Sequence, residues 1–292
     1  YQTPELHIEP QQQDLNKYRN IYELVESVNL TGYYGGSRLI KATIKKFYQY
    51  CQEKGIKIEN KNFTVRYRST IPRQVGLAGS SAIITAMMKA LMRFYEVDIQ
   101  LEYLPTLILQ TEADELGISA GLQDRVIQTY EGCVFMDFDR SFMDKHQYGK
   151  YEKLDPENLD NLYLAYKTNL SKVSGTVLND IRTRFAKQEP LVVDTLQEIA
   201  GCAEEGKKAL QHKDMEALNQ LIDKNFNLRA KIMNITPSNQ EMITAARSCG
   251  ASAKFSGSGG AIIGRYEDDE MLNRLVVALK KIDARVIKPY II

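Results

Sequence analysis

The run Ile71-Pro72-Arg73-Gln74-Val75-Gly76-Leu77-Ala78-Gly79-Ser80-Ser81-Ala82 leads straight into an apolar helix, and it constrains the rest of the chain more than any other stretch. Upstream, Phe63, Val65 and Tyr67 alternate with polar residues, which predicts a half-buried strand. Downstream, Ile83, Ile84, Met87, Met88, Leu91 and Phe94 recur at three- and four-residue spacing, the core face of a helix. A loop with two glycines between them can bring its backbone N–H groups close to an anion, because glycine has no Cβ to obstruct the approach. The helix start adds unpaired N–H donors and a partial positive charge. Ser80 and Ser81 can cap that helix or offer a hydroxyl to a metal-bound phosphate. The arrangement reads as a nucleotide triphosphate site, though not a Walker A loop, since no G-x-x-x-x-G-K-[ST] occurs. Taken alone, Gly-Ser-Ser before a helix is also what an ordinary loop and cap require.

Composition removes several other classes. The chain has 292 residues, room for one large or two ordinary domains, and 43% of them are hydrophobic, enough to build real cores. A net charge of +1 leaves no footprint for a polyanion, so neither nucleic acid nor a membrane surface is an expected partner. Cys51, Cys133, Cys202 and Cys249 are scattered without a C-x-x-C pair and read as reduced thiols of a cytoplasmic protein. His7, His146 and His212 have no ligand-like spacing, so histidine catalysis lacks support. No run of 18 apolar residues predicts a membrane-spanning helix. The N-x-[ST] triplets at Asn29, Asn62, Asn169 and Asn234 come with no visible secretory signal and read as chance.

In chain order, residues 1–10 read as polar and partly extended, and Tyr22 to Val28 as a short helix. Gly32-Tyr33-Tyr34-Gly35-Gly36-Ser37-Arg38 makes a turn before a long helix from Leu39 to Lys54, with Leu39, Ile40, Ile44, Phe47 and Tyr48 on one side. That Gly-Gly turn either only starts the helix or borders a substrate pocket. A helix is predicted from Leu104 to Leu116, ended by Gly117, and another, opened by Gly121-Leu122-Gln123-Asp124-Arg125-Val126, to Tyr130, before a strand from Cys133 to Phe138. Residues 139–161, polar and charged, read as an inter-domain connection. A strand from Leu162 to Tyr166 begins a second unit, with a loop at 169–175 and a helix to Phe185. Helices are predicted at Leu191–Glu205, Lys207–Gln211, Met215–Met233 and Ser238–Cys249. Residues 253–264, which include Gly257-Ser258-Gly259-Gly260, read as strand, tight loop and strand, and by itself such a loop is a hairpin turn. A helix (Asp268–Lys281) and a strand (Arg285–Tyr290) close the chain.

The Pro72…Gly76-Leu77…Gly79-Ser80-Ser81-Ala82 pattern resembles the second signature of the GHMP kinase superfamily (galacto-, homoserine, mevalonate and phosphomevalonate kinases). Lys254-Phe255-Ser256-Gly257-Ser258-Gly259-Gly260 resembles the third, K-x-[ST]-G-x-G-G, whose loop in that family packs beside the phosphate loop. Glu112, in advance of Gly121-Leu122-Gln123-Asp124, resembles the family's acidic pair, although an acidic residue near a helix end is usually solvated or a cap. The resemblance implies that residues 76–82 hold the ATP phosphates, that Ser81 and Glu112 bind Mg²⁺, and that Asp124 orients and deprotonates the attacking hydroxyl. Phosphoryl transfer suits so small a set, because it depends on positioning and on neutralising phosphate oxygens. The fold it implies is α+β with two domains. These are an N-terminal ATP-binding domain over 1–160 with a left-handed βαβ unit, and a ferredoxin-like C-terminal domain over 161–292. A first signature near the N-terminus is absent, and the resemblance implies that the chain begins inside the first domain.

Within the superfamily, Ile71-Pro72-Arg73-Gln74, Glu112-x-x-Glu115-Leu116-Gly117, Ala120-Gly121-Leu122-Gln123-Asp124-Arg125-Val126 and Tyr33-Tyr34-Gly35-Gly36-x-Arg38-Leu39 look like plant-type glucuronokinases. That implies transfer of the ATP γ-phosphoryl group to the anomeric hydroxyl of D-glucuronate, giving glucuronate 1-phosphate for UDP-glucuronate salvage. The partners implied are ATP and a small sugar acid, with the protein a monomer or weak dimer. A uronate carries a carboxylate that an arginine fork can bind through both oxygens. Arg38, Arg73 and Arg125 are candidates for it, with Gly257, Ser258 and Gly259 beside the substrate. Arg125 could instead stabilise Asp124 or face phosphate. The alternatives are another sugar kinase, for galacturonate, galactose, fucose or a heptose phosphate, or a non-catalytic sensor of sugar and nucleotide.

Overall fold

The computed structural model describes residues 16–33, 35–72, 75–167 and 174–291, and the expectations for residues 1–10, for Arg73 and for the loop at 169–173 fall outside them. The chain divides into two compact units: one of the described residues up to Ser69 with Ser80–Thr129 and Phe138–Lys150, the other of Thr70–Gly79, Tyr130–Asp137 and Tyr151–Ile292.

Helices dominate the first unit: α1 (Ile21–Thr31), α2 (Arg38–Glu53), α3 (Gly79–Tyr95), α4 (Leu104–Gln110), α5 (Leu122–Tyr130) and α6 (Arg140–His146). The Asn20 side chain starts α1 by accepting the Glu23 N–H at 2.9 Å. The apolar stripes of α2 and α3 meet, burying Ile40, Ile44, Phe47, Ile84, Met88 and Leu91 in one core. Tyr95, not Phe94, completes that core, and Phe94 stays 37% exposed. Phe63 and Val65 pack on the same core, Phe63 edge-on to Phe94 and Tyr95, as their alternation requires. No strand pairs with 63–67 among the described residues, however, so this extended segment is not the strand expected. The left-handed βαβ unit is likewise not among the described elements of this unit. The helix predicted from Leu104 to Leu116 is α4 continued as one π-turn, Thr111–Glu115, before Gly117 (φ 63°) ends it. The expected linker at 139–161 has structure of its own. Asp139 caps α6 through the Phe142 N–H at 2.8 Å, and β2 (Lys150–Leu154) pairs with β1 (Cys133–Asp137).

The second unit is built on a four-stranded sheet in the order β4-β5-β3-β6, with β3 (Leu162–Lys167), β4 (Lys254–Phe255), β5 (Ala261–Arg265) and β6 (Ala284–Ile287). All its neighbours are antiparallel. Helices α7 (Ser174–Ala186), α8 (Pro190–Gln211), α9 (Met215–Ile232) and α10 (Pro237–Ser248) separate β3 from β4, while α11 (Asp269–Lys280) joins β5 to β6. This β-α-β-β-α-β arrangement is the ferredoxin-like fold expected of this half. Tyr163, Phe255, Ile262, Met242, Ile243 and Leu275 fill the core between sheet and helices. α8 runs unbroken where two helices were predicted. Gly206 lies buried where Leu218 of α9 comes within 4.0 Å of its missing Cβ, and that packing offsets the weak helix propensity of glycine.

Candidate active site

The loop before α3 is anchored in the second unit. Val75 is buried with Tyr166 of β3 and Ala261 of β5, so the strand pair fixes where the loop begins. Gly76 follows at φ 80° and Ala78 at φ 50°, left-handed conformations that a side chain resists. A Cβ on Gly76 would sit 2.2 Å from the Gly259 carbonyl oxygen, and one on Gly260 would sit 3.1 Å from the Val75 carbonyl oxygen. The two glycine-rich loops therefore touch backbone to backbone. Leu77 packs on the Val75 cluster, and Gly79 opens α3, whose first N–H groups have no intrahelical acceptor.

The partner loop is the hairpin connection between β4 and β5. Ser256 donates to the Ala261 carbonyl through both N–H (3.1 Å) and hydroxyl (3.3 Å), closing the turn. Gly259 (φ 127°) and Gly260 (φ 84°) carry it round, and the Gly260 N–H donates to Oδ1 of buried Asn239 on α10 at 3.2 Å. At the loop's start, the Gly257 carbonyl accepts from the Arg229 guanidinium of α9. Both readings of this segment hold together: it is a hairpin turn, and it packs against the phosphate-loop candidate. Gly257 and Ser258 are half-buried on it.

A second cluster lies in the first unit. Glu112 sits in the π-turn, 1% exposed, and its Oε2 accepts from the Arg125 guanidinium through Nε at 2.7 Å and through Nη2. Arg125, itself buried, also donates from Nη1 to the Gly121 carbonyl (2.9 Å) and to Asp124 Oδ2 (3.3 Å). Burial pushes the Glu112 carboxyl above its usual range, against the pull of Arg125. The Asp124 side chain stays 46% exposed in the first turn of α5, open to a reactant. Ser81 is buried in the first turn of α3, Ser80 is exposed and Ala82 is half-buried. Arg125 is thus committed to the two carboxylates. Arg38 stands exposed at the first position of α2.

The sequence reading missed three features. The π-turn that carries Glu112 leaves no mark in apolar spacing, although such turns recur at functional sites. Glu115 of the same turn accepts from the Tyr33 hydroxyl at 2.5 Å and pairs with Lys45 at 2.7 Å. Arg229 and Lys254 lie beneath the glycine-rich loop; Lys254 stood in the sequence only as the lysine of the K-x-[ST]-G-x-G-G resemblance, and Arg229, with Asn227 and Lys231 beside it in a helix, gave no signal of a site.

The model of GHMP kinases N terminal domain matches residues 38–132, and that of GHMP kinases C terminal matches residues 207–283. The chain is 45% identical over 256 residues to probable glucuronokinase 2 of Arabidopsis thaliana, covering 86% of this chain and 69% of that protein. To glucuronokinase 1 of the same plant it is 40% identical over 255 residues, covering 86% and 70%. Among solved structures, Streptococcus pneumoniae phosphomevalonate kinase in complex with phosphomevalonate and AMPPNP superposes with a TM-score of 0.68 at 16% identity, over 88% of this chain and 81% of that one. A mevalonate kinase gives 0.66 at 23% identity, over 92% and 79%, and both likenesses concern the fold.

Proposed function

The chain belongs to the GHMP kinases, an ATP-dependent family, and from that premise we propose that it phosphorylates the anomeric hydroxyl of D-glucuronate. The product is glucuronate 1-phosphate, which serves UDP-glucuronate salvage. The observation that carries this reading is the 45% identity to a probable glucuronokinase across 86% of the chain. The geometry adds a means. The loop at 76–79, pinned by Val75 and by the glycine contact, runs into the N-terminus of α3, where backbone N–H groups suit phosphate oxygens.

Asp124 is the proposed base. Its exposed carboxylate takes the proton of the acceptor hydroxyl as the sugar oxygen bonds to the γ-phosphorus and the bond to the β-bridging oxygen breaks, releasing ADP. Arg125 holds that carboxylate in place through its 3.3 Å contact. The residues also fit a magnesium ion. Glu112 is a buried oxygen anion, Arg125 addresses only its Oε2, and Mg²⁺ takes one or two protein oxygens beside the nucleotide's own. Ser81 and Glu112 would hold it, and it would neutralise charge on the transferred phosphoryl group.

The test is ADP release by the full-length protein with ATP, Mg²⁺ and a panel of glucuronate, galacturonate, galactose and fucose, with the product assigned by phosphorus NMR. Turnover with glucuronate to an anomeric phosphate is expected. Turnover with another sugar alone rejects the acceptor and keeps the kinase. No turnover while ATP still binds rejects the enzyme in favour of a sensor.

A further inference from the structure

Two cations beneath the glycine-rich loop make no ion pair among the described residues. Arg229 of α9 donates to the Gly257 carbonyl, and Lys254 of β4 donates through Nζ to the Phe255 carbonyl at 3.1 Å. Both side chains are half-buried, and Arg229 lies close enough for its charge to act on Lys254. Burial and that like charge pull the Lys254 ammonium down to about 8. Three other cations of this unit have carboxylate partners: Arg184 with Glu189 at 2.8 Å, Arg247 with Asp223 at 3.0 Å, and Lys167 with Glu241, while buried Arg265 makes no ion pair among the described residues and donates to the Asp160 carbonyl and to Asn219 Oδ1. Two like charges held together, partly desolvated and answered only by carbonyls, are unfavourable unless an anion joins them.

We infer that Arg229 and Lys254 receive the carboxylate of the sugar acid. The inference rests on the glucuronokinase reading and supplies the residue assignment that reading lacks. The phosphates already have the 76–79 loop and the α3 N-terminus, whereas the carboxylate needs a cation of its own. Arg125 is held by Glu112, Gly121 and Asp124, which removes it from that role. The pair under the loop is well placed. Its loop touches the phosphate loop through Gly259 and Gly76, and an acceptor has to lie within reach of the transferred group. An arginine fork and a lysine point charge together suit a planar carboxylate.

The experiment compares full-length wild type with Arg229→Gln and Lys254→Gln, measuring KM for glucuronate, KM for ATP, and the kcat/KM ratio of glucuronate over glucose, its neutral analogue. A roughly ten- to hundredfold rise in glucuronate KM is expected in each variant, with the ratio over glucose falling in step and ATP KM within about twofold. An unchanged glucuronate KM in variants that melt as wild type overturns the inference while leaving the kinase reading intact. A rise in ATP KM alone also overturns it, assigning the pair to phosphate. If loss of the Gly257 bond unfolds Arg229→Gln, Arg229→Lys decides. It keeps charge but not the fork, so an unchanged ratio over glucose rejects the arginine's role. Failure of wild type to use glucuronate at all is a failure of the proposed function instead.

Discussion

Gly76 and Gly259 meet so closely that a single methyl group on Gly76 would lie 2.2 Å from the Gly259 carbonyl oxygen. Gly76→Ala therefore forces two loops apart and strains a residue at φ 80°. A loss of about 2–4 kcal/mol is expected from the two effects together, measured by urea unfolding, with activity lost ahead of the fold. Gly35→Ala is the comparison, since φ there is 70° with nothing within 4 Å of the new methyl, and strain alone should remain, about 1–2 kcal/mol.

Arg125→Met leaves Glu112 buried without its cation. Breaking a buried pair in this way costs about 3–5 kcal/mol. Adding Glu112→Gln should recover part of that loss, because the stranded charge is then gone. A double-mutant cycle of unfolding free energies checks it, and additive losses would sink the idea that the pair is coupled.

Asp124→Asn keeps shape and removes the proton acceptor. A drop in kcat of roughly a hundredfold or more is expected, with ATP affinity and melting temperature near wild type. Steady-state ADP release with glucuronate, beside a nucleotide-binding titration, separates this from misfolding. A kcat within a few-fold of wild type would remove Asp124 from the mechanism.

Lys254 gives a pH signature in stability. Its folded-state value of about 8 is below the ordinary 10.5, so between those two values the unfolded chain holds more protons and stability rises with pH. The destabilisation is present in full below about pH 8. Lys254→Met should raise the melting temperature at pH 6.5, with the gain fading toward pH 10. A gain that is the same at both pH values would show that charge is not its origin.

Much of this fold could be read from short-range pattern. The stripes of α2 and α3, the Gly117 stop and the β4–loop–β5 segment depend on neighbours within a few residues, and each was found close to its predicted place. The failures share a cause. Phe63 to Tyr67 alternates as a strand does, yet a strand exists only where another lies beside it. Gly206 looked like a break until Leu218 packed against it. Residues 139–161 looked like linker because β2 needs β1 to become a strand.

For the candidate site, local chemistry pointed to the loop at 76–82, since glycine freedom and serine hydroxyls at a helix start are properties of the residues themselves, whereas Glu112, Asp124 and the glycines at 257–260 stood out only through the resemblance to the GHMP kinases. Three further facts depend on parts of the chain distant in sequence. Arg125 turns toward Glu112 because the π-turn offers a buried anion there. Gly76 must be glycine because Gly259 arrives beside it. Arg229 and Lys254 become a pair only when α9 packs against β4, since the interaction of two charges depends on their distance and surrounding solvent, and folding sets both.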